Sequence, residues 1–148
     1  MPVTHLSLYY HAVFSTHARE PWLAADWRPS LHAYIGGIVA DLGGVPLIVG
    51  GIADHVHLLM RLKATHTLAD VMRDIKRGSS RWVHEQRRRP AFAWQEGYGA
   101  FTVSPSRVGA VKSYIANQEA HHRKKTFQEE YLELLKEAGI EYDEAYRW

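Results

Sequence analysis

The spacing of hydrophobic residues predicts a strand and then a helix in the first third of the chain. Every second position from residue 6 to residue 14 is hydrophobic or small, which is the period of a strand. After Pro21 hydrophobic residues recur at helical spacing, and Gly43 and Gly44 end this stripe. The two sets are Leu6, Leu8, Tyr10, Ala12 and Phe14 for the strand, and Leu31, Ile35, Ile38, Val39 and Leu42 for the helix.

A hairpin and a second helix are predicted for the middle of the chain. Residues 45–52 and 55–62 have the pattern of strands, and the tight link between them favours an antiparallel hairpin. Thr67 is a candidate helix N-cap with Asp70 in the first turn, and we expect this helix to run to Gln86. Its predicted apolar face is Leu68, Val71, Met72 and Ile75.

One more strand and two more helices are predicted for the last third. Residues 98–103 have a strand pattern, and Ser104-Pro105-Ser106 is a start signal for a helix over about 105–122. A last helix over about 126–139 begins with a capping box between Thr126 and Glu129 and is stopped by Gly139.

The predicted order β-α-β-β-α-β, followed by two helices, is the order of an α+β protein with a ferredoxin-like fold. Such a fold is an antiparallel sheet with helices on one face, here with additional C-terminal helices. We expect residues 1–148 to form a single domain. The second sheet face would be free for a functional site or a second subunit, although the fold alone does not define the activity.

The composition restricts the chemistry that the chain can carry. Hydrophobic residues make up 46% and charged residues 23% of the chain, which excludes a mostly disordered protein. Cysteine is absent, which excludes disulfides, thiolate zinc sites and cysteine nucleophiles. The sequence has neither a signal-peptide pattern nor an apolar stretch of membrane-spanning length. We therefore expect a cytoplasmic location and no membrane partner.

A basic cluster lies in the second predicted helix, although the net charge is only +2. Four of its residues can share one helix side and contact DNA phosphates: Arg73, Lys76, Arg77 and Arg81. The alternative is a solvated helix face. Three nearby aromatic residues are candidates for stacking on unpaired bases, although core packing is favoured for them: Trp82, Trp94 and Tyr98.

The segment His55-Val56-His57 presents two histidines on one side of a predicted strand. Side chains two residues apart on a strand point to the same face, so both imidazoles project opposite to the core-facing residues. Two adjacent imidazoles can bind one divalent metal ion. The alternative is a histidine pair that is solvent-exposed or hydrogen-bonded and binds no ion.

Tyr114 and Gln118 lie one turn apart in the predicted helix over 105–122, on the same helix side. The amide oxygen of Gln118 can complete a His-His-Gln metal site, with the Tyr114 phenol in reach of the ion. The alternative is that Tyr114 is a core residue with a satisfied hydroxyl. His121, one turn further, is a candidate general base or a surface histidine.

Taken together, these motifs resemble the HUH endonucleases and, among them, the single-tyrosine transposases of insertion sequences, which act on single-stranded DNA. His55-Val56-His57 is similar to the His-hydrophobic-His motif, and residues 114–118 are similar to the nucleophile helix. REP-associated tyrosine transposases share this pattern. The supporting segments are residues 10–14, residues 97–101 and His121-His122 followed by Thr126-Phe127.

The resemblance implies that Tyr114 is the nucleophile and that His55, His57 and Gln118 hold Mg²⁺ or Mn²⁺. It also implies a ferredoxin-like core, recognition of single-stranded DNA with hairpin ends, and a homodimer. In such a homodimer, the tyrosine helix of one subunit can serve the metal site of the other. The implied reaction is DNA cleavage and rejoining through a 5′-phosphotyrosine.

Other activities stay open from the sequence. The chain can be a domesticated, non-mobile relative of the REP-associated proteins or a non-catalytic protein that binds single-stranded nucleic acid. It can also be a metal-dependent hydrolase that uses water in place of tyrosine.

Overall fold

The computed structural model describes residues 3–143, which contain four strands and five α-helices. The strands are β1 (Tyr9–Ser15), β2 (Val45–Ile52), β3 (His55–Arg61) and β4 (Gly99–Val103). The helices are α1 (Arg28–Asp41), α2 (Leu68–Gln86), α3 (Val108–Ala116), α4 (Gln118–His122) and α5 (Phe127–Glu137). Short 3-10 turns span His17–Arg19 and Pro105–Arg107.

The four strands form one sheet in the order β2-β3-β1-β4, and all neighbouring strands are antiparallel. The predicted hairpin is present, because β2 and β3 pair directly. With α1 between β1 and β2 and α2 between β3 and β4, this is the ferredoxin-like α+β fold that the sequence predicts.

The helices α1 and α2 cover one face of the sheet and enclose the hydrophobic core. Alternation along β3 directs Val56, Leu58 and Met60 to this face, where all three are fully buried. Thr67 caps α2, because its hydroxyl accepts a hydrogen bond from the Asp70 amide at 3.3 Å. The elements of this half therefore follow the sequence pattern closely.

Aromatic residues next to α2 belong to the core. Trp94 is 9% exposed, and its indole nitrogen donates to the Ser79 hydroxyl at 2.9 Å. Trp82 and Tyr98 pack against the same core. Core packing therefore describes these three residues better than a surface for stacking bases.

The second face of the sheet, which the sequence analysis left free, is covered by the C-terminal helices of the same chain. Phe127 of α5 stacks on the His55 ring at a centroid distance of 4.2 Å. Close approach of α3 is possible because Gly50 of β2 has no side chain, since a Cβ there would lie 2.7 Å from both Ile115 Cγ2 and the Ile115 carbonyl oxygen. The histidine pair is consequently enclosed between sheet and helices.

The predicted helix over 105–122 is divided in the structure. A 3-10 turn is followed by α3 and α4, which are separated at Asn117 with φ −101° and ψ 24°. The Asn117 side chain donates to the Ser113 carbonyl at 2.9 Å, so a side-chain hydrogen bond competes with the helical pattern there. The last helix has the predicted capping box between Thr126 and Glu129. No helix within residues 3–143 is both long and apolar enough to cross a membrane.

Candidate active site

The structure brings His55, His57, Tyr114 and Gln118 together within one chain. Both histidines point from β3 to the face that the C-terminal helices cover, and both are fully buried. Gln118 at the start of α4 is 1% exposed, and its Oε1 lies 3.0 Å from His55 Nε2. The Tyr114 ring of α3 lies 5.6 Å from the His57 ring, centroid to centroid. These are the four residues that the sequence analysis grouped.

Glu130 of α5 lies at the centre of this group and is 1% exposed. Its Oε1 is 2.9 Å from His57 Nε2, 3.2 Å from His122 Nε2 and 3.5 Å from His55 Nε2. Its Oε2 accepts hydrogen bonds from the Tyr114 hydroxyl and, at 3.1 Å, from Gln118 Nε2. One carboxylate therefore joins the imidazoles to the phenol.

The outer nitrogens of the three histidines each have a separate partner. His55 Nδ1 is 2.8 Å from Asp54 Oδ1, and His57 Nδ1 is 2.7 Å from His11 Nε2. His122 Nδ1 is 2.8 Å from the Lys125 carbonyl oxygen. Because every Nδ1 is engaged outside the cluster, all three Nε2 atoms turn towards the centre.

Charge in the cluster is concentrated on Glu130 and His55. Burial opposes ionisation of Glu130, but hydrogen bonds from His122, His55 and His57 outweigh it and hold its pKa below the usual range. Burial also opposes the charged form of His55, but Asp54 and Glu130 raise its pKa to about 8. Burial lowers the pKa of His57 to about 4, so His57 is neutral at pH 7.

Tyr114 is a protonated phenol in this environment, because burial first and then the Glu130 carboxylate raise its pKa above the usual value. The side chain is nevertheless accessible. It lines a cavity of about 270 Å³ together with His11, His121 and Glu130. A ligand that enters this cavity can therefore reach Tyr114 and the neighbouring Glu130.

Three residues of this site were not identified from the sequence: Glu130 and His122 of the cluster, and His11, the outer partner of His57. Each had a signal in the pattern. Glu130 is an acidic residue three positions after Phe127, on the side of α5 that the pattern assigns to the core. His122 follows Gln118 by one turn, and His11 has the strand parity opposite to the core-facing residues of β1.

The neighbouring histidine, which the sequence analysis proposed as a candidate base, lies at the edge of the cluster. The His121 side chain is 26% exposed, and its Nε2 lies 3.2 Å from Glu130 Oε2. Its ring contacts the Tyr114 ring edge-on at 5.3 Å, centroid to centroid. It therefore faces the phenol side of Glu130, whereas His122 faces the imidazole side.

The four basic residues of α2 lie on the opposite side of the sheet from Tyr114. Arg73 is exposed and pairs with Asp70 and Asp74, each at 3.2 Å. Lys76 donates to the Gln95 and Gly97 carbonyl oxygens at 2.6 and 2.7 Å. Arg77 and Arg81 are exposed. Near the tyrosine, the basic residues that line cavities are Arg107, Lys124 and Lys125.

The donor atoms of the cluster fit a divalent metal ion. Three imidazole nitrogens and one carboxylate oxygen, from His55, His57, His122 and Glu130, all lie within 4.8 Å of one another. Their outer hydrogen bonds fix the rings as such bonds do around bound metals. The fold and the site together define a class of protein. It is a ferredoxin-like protein with a buried histidine–carboxylate cluster beside a tyrosine.

Comparison with known protein families identifies the family of the chain. Residues 4–118 match the family described as "Transposase IS200 like", and the chain belongs to this family. No curated protein matches the chain significantly.

Two solved structures are similar to the chain in fold. A candidate transposase from Deinococcus radiodurans R1 has 22% sequence identity and a TM-score of 0.62, with 80% of this chain and 96% of that chain covered. A REP-associated tyrosine transposase bound to a REP hairpin has 13% identity and a TM-score of 0.60, with 82% and 74% covered.

Proposed function

We propose that the chain is a DNA transposase that cuts and rejoins single-stranded DNA, with Tyr114 as the nucleophile. The observation that carries this proposal is the Tyr114 hydroxyl on Glu130, whose other oxygen contacts the Nε2 of His57. A phenol beside a candidate metal site is the arrangement that attack on a phosphodiester requires. Membership of the IS200-like transposase family supports the same conclusion.

His55, His57 and Gln118 are the proposed holders of Mg²⁺ or Mn²⁺. When bound, the ion supplies positive charge that stabilises a phenolate and polarises a phosphoryl oxygen. Glu130 orients the Tyr114 hydroxyl, and the Gln118 amide fixes the same carboxylate oxygen from its other side. The closed packing around the histidines keeps bulk water from the cluster.

The proposed reaction is a balanced transfer of a phosphoryl group. The Tyr114 oxygen forms a bond to phosphorus, and the bond between phosphorus and the 3′ oxygen of the DNA breaks. The phenol loses its proton and the departing 3′ oxygen gains one, which leaves a 5′-phosphotyrosine and a free 3′ hydroxyl. A 3′ hydroxyl of another strand reverses the transfer and rejoins the DNA without nucleoside triphosphate.

The proposed partner is single-stranded DNA with hairpin ends. The relative that was solved with a REP hairpin supports this partner. Arg73, Lys76, Arg77 and Arg81 lie across the sheet from Tyr114, so we assign their phosphate contacts to DNA remote from the scissile bond. We further propose that residues 1–148 act as one domain in a homodimer in the cytoplasm.

The proposal is tested with a 3′-labelled single-stranded hairpin, incubated with protein and Mn²⁺ and resolved on a denaturing gel. The wild type and Tyr34→Phe, which alters an exposed tyrosine of α1, should retain label on the protein. Tyr114→Phe should bind DNA and form no adduct.

Other outcomes point to the other activities. Salt-sensitive binding by the wild type without any cleavage would favour a non-catalytic DNA-binding protein, such as a domesticated relative. Cleavage with turnover that persists in Tyr114→Phe would favour a hydrolase that uses water.

A further inference from the structure

We propose that His122 and Glu130 are ligands of the metal together with His55 and His57, so that the site holds a transition-metal ion in preference to Mg²⁺. This inference rests on the metal site of the proposed function and names two ligands beyond it. Both residues lie outside residues 4–118, the segment that the family match covers.

The distances within the cluster are those of ligands around a common ion. Two ligands at about 2.1 Å from one ion stand about 3.0 Å apart at a right angle and about 3.4 Å apart at a tetrahedral angle. Glu130 Oε1 lies 2.9, 3.2 and 3.5 Å from the Nε2 atoms of His57, His122 and His55. The carboxylate oxygen therefore already has the spacing from each imidazole nitrogen that coordination requires, and all four donor atoms lie within 4.8 Å of one another.

His122 is oriented in the same way as the two histidines of β3. Its Nδ1 faces the Lys125 carbonyl oxygen, which makes Nδ1 a donor and leaves Nε2 to face the cluster, where it gives up its proton when it binds an ion. His55 has the same arrangement through Asp54. Such outer hydrogen bonds are the usual support of histidines that bind metals. The His122 ring therefore has the orientation that metal binding requires, in addition to lying close to the other ligands.

Burial of these groups also favours a cation. The side chains of His122 and Glu130 are 4% and 1% exposed. A buried carboxylate is costly unless positive charge compensates it, and an ion between the imidazoles would supply that charge in place of the proton on His55. Gln118 Oε1, 3.0 Å from the Nε2 atoms of both His55 and His122, provides a fifth donor. A six-coordinate ion would keep one position for the DNA.

The donor set determines the preference among ions. Mg²⁺ binds oxygen ligands and keeps several of its waters, whereas imidazole nitrogens suit Zn²⁺ and other first-row transition ions. Three nitrogens among five protein donors therefore select for ions such as Mn²⁺, Co²⁺ or Zn²⁺.

The test measures metal binding by the full-length, metal-free protein in the absence of DNA. Calorimetry should give one ion per chain, with Zn²⁺ bound at least about 100-fold more tightly than Mg²⁺. X-ray absorption of the Co²⁺-loaded protein counts coordinated imidazoles. We expect three in the wild type and in His17→Ala, which alters an exposed histidine, and two in His122→Ala.

The role of the Glu130 carboxylate as a ligand is tested by comparing two variants of α5. Glu130→Gln should weaken Zn²⁺ binding by about 10–100-fold and abolish the carboxylate band shift in the infrared difference spectrum of metal binding. Glu137→Gln, which alters an exposed residue of α5, should change neither.

Two imidazoles in the wild type, or equal affinities for Mg²⁺ and Zn²⁺, would overturn the inference even if the variants fail to fold. A band shift that survives in Glu130→Gln would remove Glu130 from the ligands. DNA cleavage reports separately on the proposed function. Tyr114-dependent adducts with a count of two imidazoles would overturn only the inference, and a count of three without adducts would overturn only the proposed transposase.

Discussion

At the scale of single residues, the site depends on which nitrogen of each histidine faces inwards. An imidazole whose Nδ1 donates a hydrogen bond presents Nε2 as a lone pair, so the outer partner decides whether a ring can bind a cation. The outer partner of His57 is a further histidine, His11, which is 4% exposed. Burial, followed by repulsion from His57, lowers the pKa of His11 to about 3, so His11 is neutral and can accept a hydrogen bond from His57 Nδ1 when His57 Nε2 binds a cation.

His11 should therefore support metal binding without contacting the ion. We expect His11→Ala to weaken Mn²⁺ or Zn²⁺ binding by about 10–100-fold, because the His57 ring loses its orientation. His11→Gln should recover part of the affinity, since its amide oxygen can accept the same hydrogen bond. Calorimetry on both variants measures the difference. Equal affinity in the wild type and His11→Ala would show that His57 needs no such partner.

The four residues that the sequence groups lie together in the structure, whereas their roles in the reaction stay a prediction. His55, His57, Tyr114 and Gln118 meet because strand parity and helical spacing are local rules. Glu130 and His122 could not be assigned in this way, because their place in the cluster depends on how α4 and α5 fold back over the sheet. An acidic residue on an apolar helix face was the available signal, and it does not identify its partners.

At the scale of elements, the distance of α3 from the sheet is set by Gly50. Gly50→Ala would place a Cβ 2.7 Å from Ile115 Cγ2 and the Ile115 carbonyl oxygen, so α3 must move. We expect a loss of about 1–3 kcal/mol in the free energy of unfolding, together with weaker metal binding. Gly109→Ala, on α3 but with nothing within 4 Å, should be neutral or stabilising by up to about 1 kcal/mol.

Chemical denaturation with calorimetry of metal binding compares the two glycine variants. Gly50→Ala with unchanged stability and unchanged metal affinity would show that α3 does not need this close approach to form the site.

A second prediction at the scale of elements concerns DNA binding by the basic side of α2. Arg77→Ala and Arg81→Ala should each lower the affinity for hairpin DNA and reduce the slope of log affinity against log salt by about 1, if each contacts one phosphate. Arg73 is paired with two aspartates, so Arg73→Ala should change the slope less. Fluorescence anisotropy over a salt series measures the slopes. Identical slopes in all variants would exclude α2 from the DNA interface.

Most elements could be predicted from sequence because their signals are local. The caps at Thr67 and Thr126 and the β2-β3 hairpin are present as expected. The break at Asn117 was not predicted, because neither proline nor glycine marks it in the sequence. Tertiary contacts of Gln118 with His55 accompany the break.

At the scale of the whole molecule, the residues of the proposed site lie together within a single chain. The resemblance to the single-tyrosine transposases left open that the tyrosine of one subunit serves the histidines of the other. In the structure, Tyr114 reaches the histidines of its own chain through Glu130. The order of elements was predictable, whereas the covering of the second sheet face by α3, α4 and α5 was not, since apolar faces do not specify which side of a sheet they occupy.

A complementation experiment distinguishes the two assemblies. We expect that Tyr114→Phe and His57→Asn, co-expressed and purified together, form no covalent DNA adduct, because each chain lacks one part of its own site. An exchanged site would restore adducts in mixed dimers, which would then contain one intact tyrosine and one intact histidine pair. Restored adducts would contradict assembly within one chain.

The most direct measurement of the central claim is to locate the covalent link itself. Wild-type protein is reacted with single-stranded hairpin DNA and Mn²⁺, digested with protease and nuclease, and sequenced by tandem mass spectrometry. The account predicts a nucleotide joined through its 5′ phosphate to Tyr114. A nucleotide on any other residue, or cut DNA with no nucleotide on the protein, would contradict it.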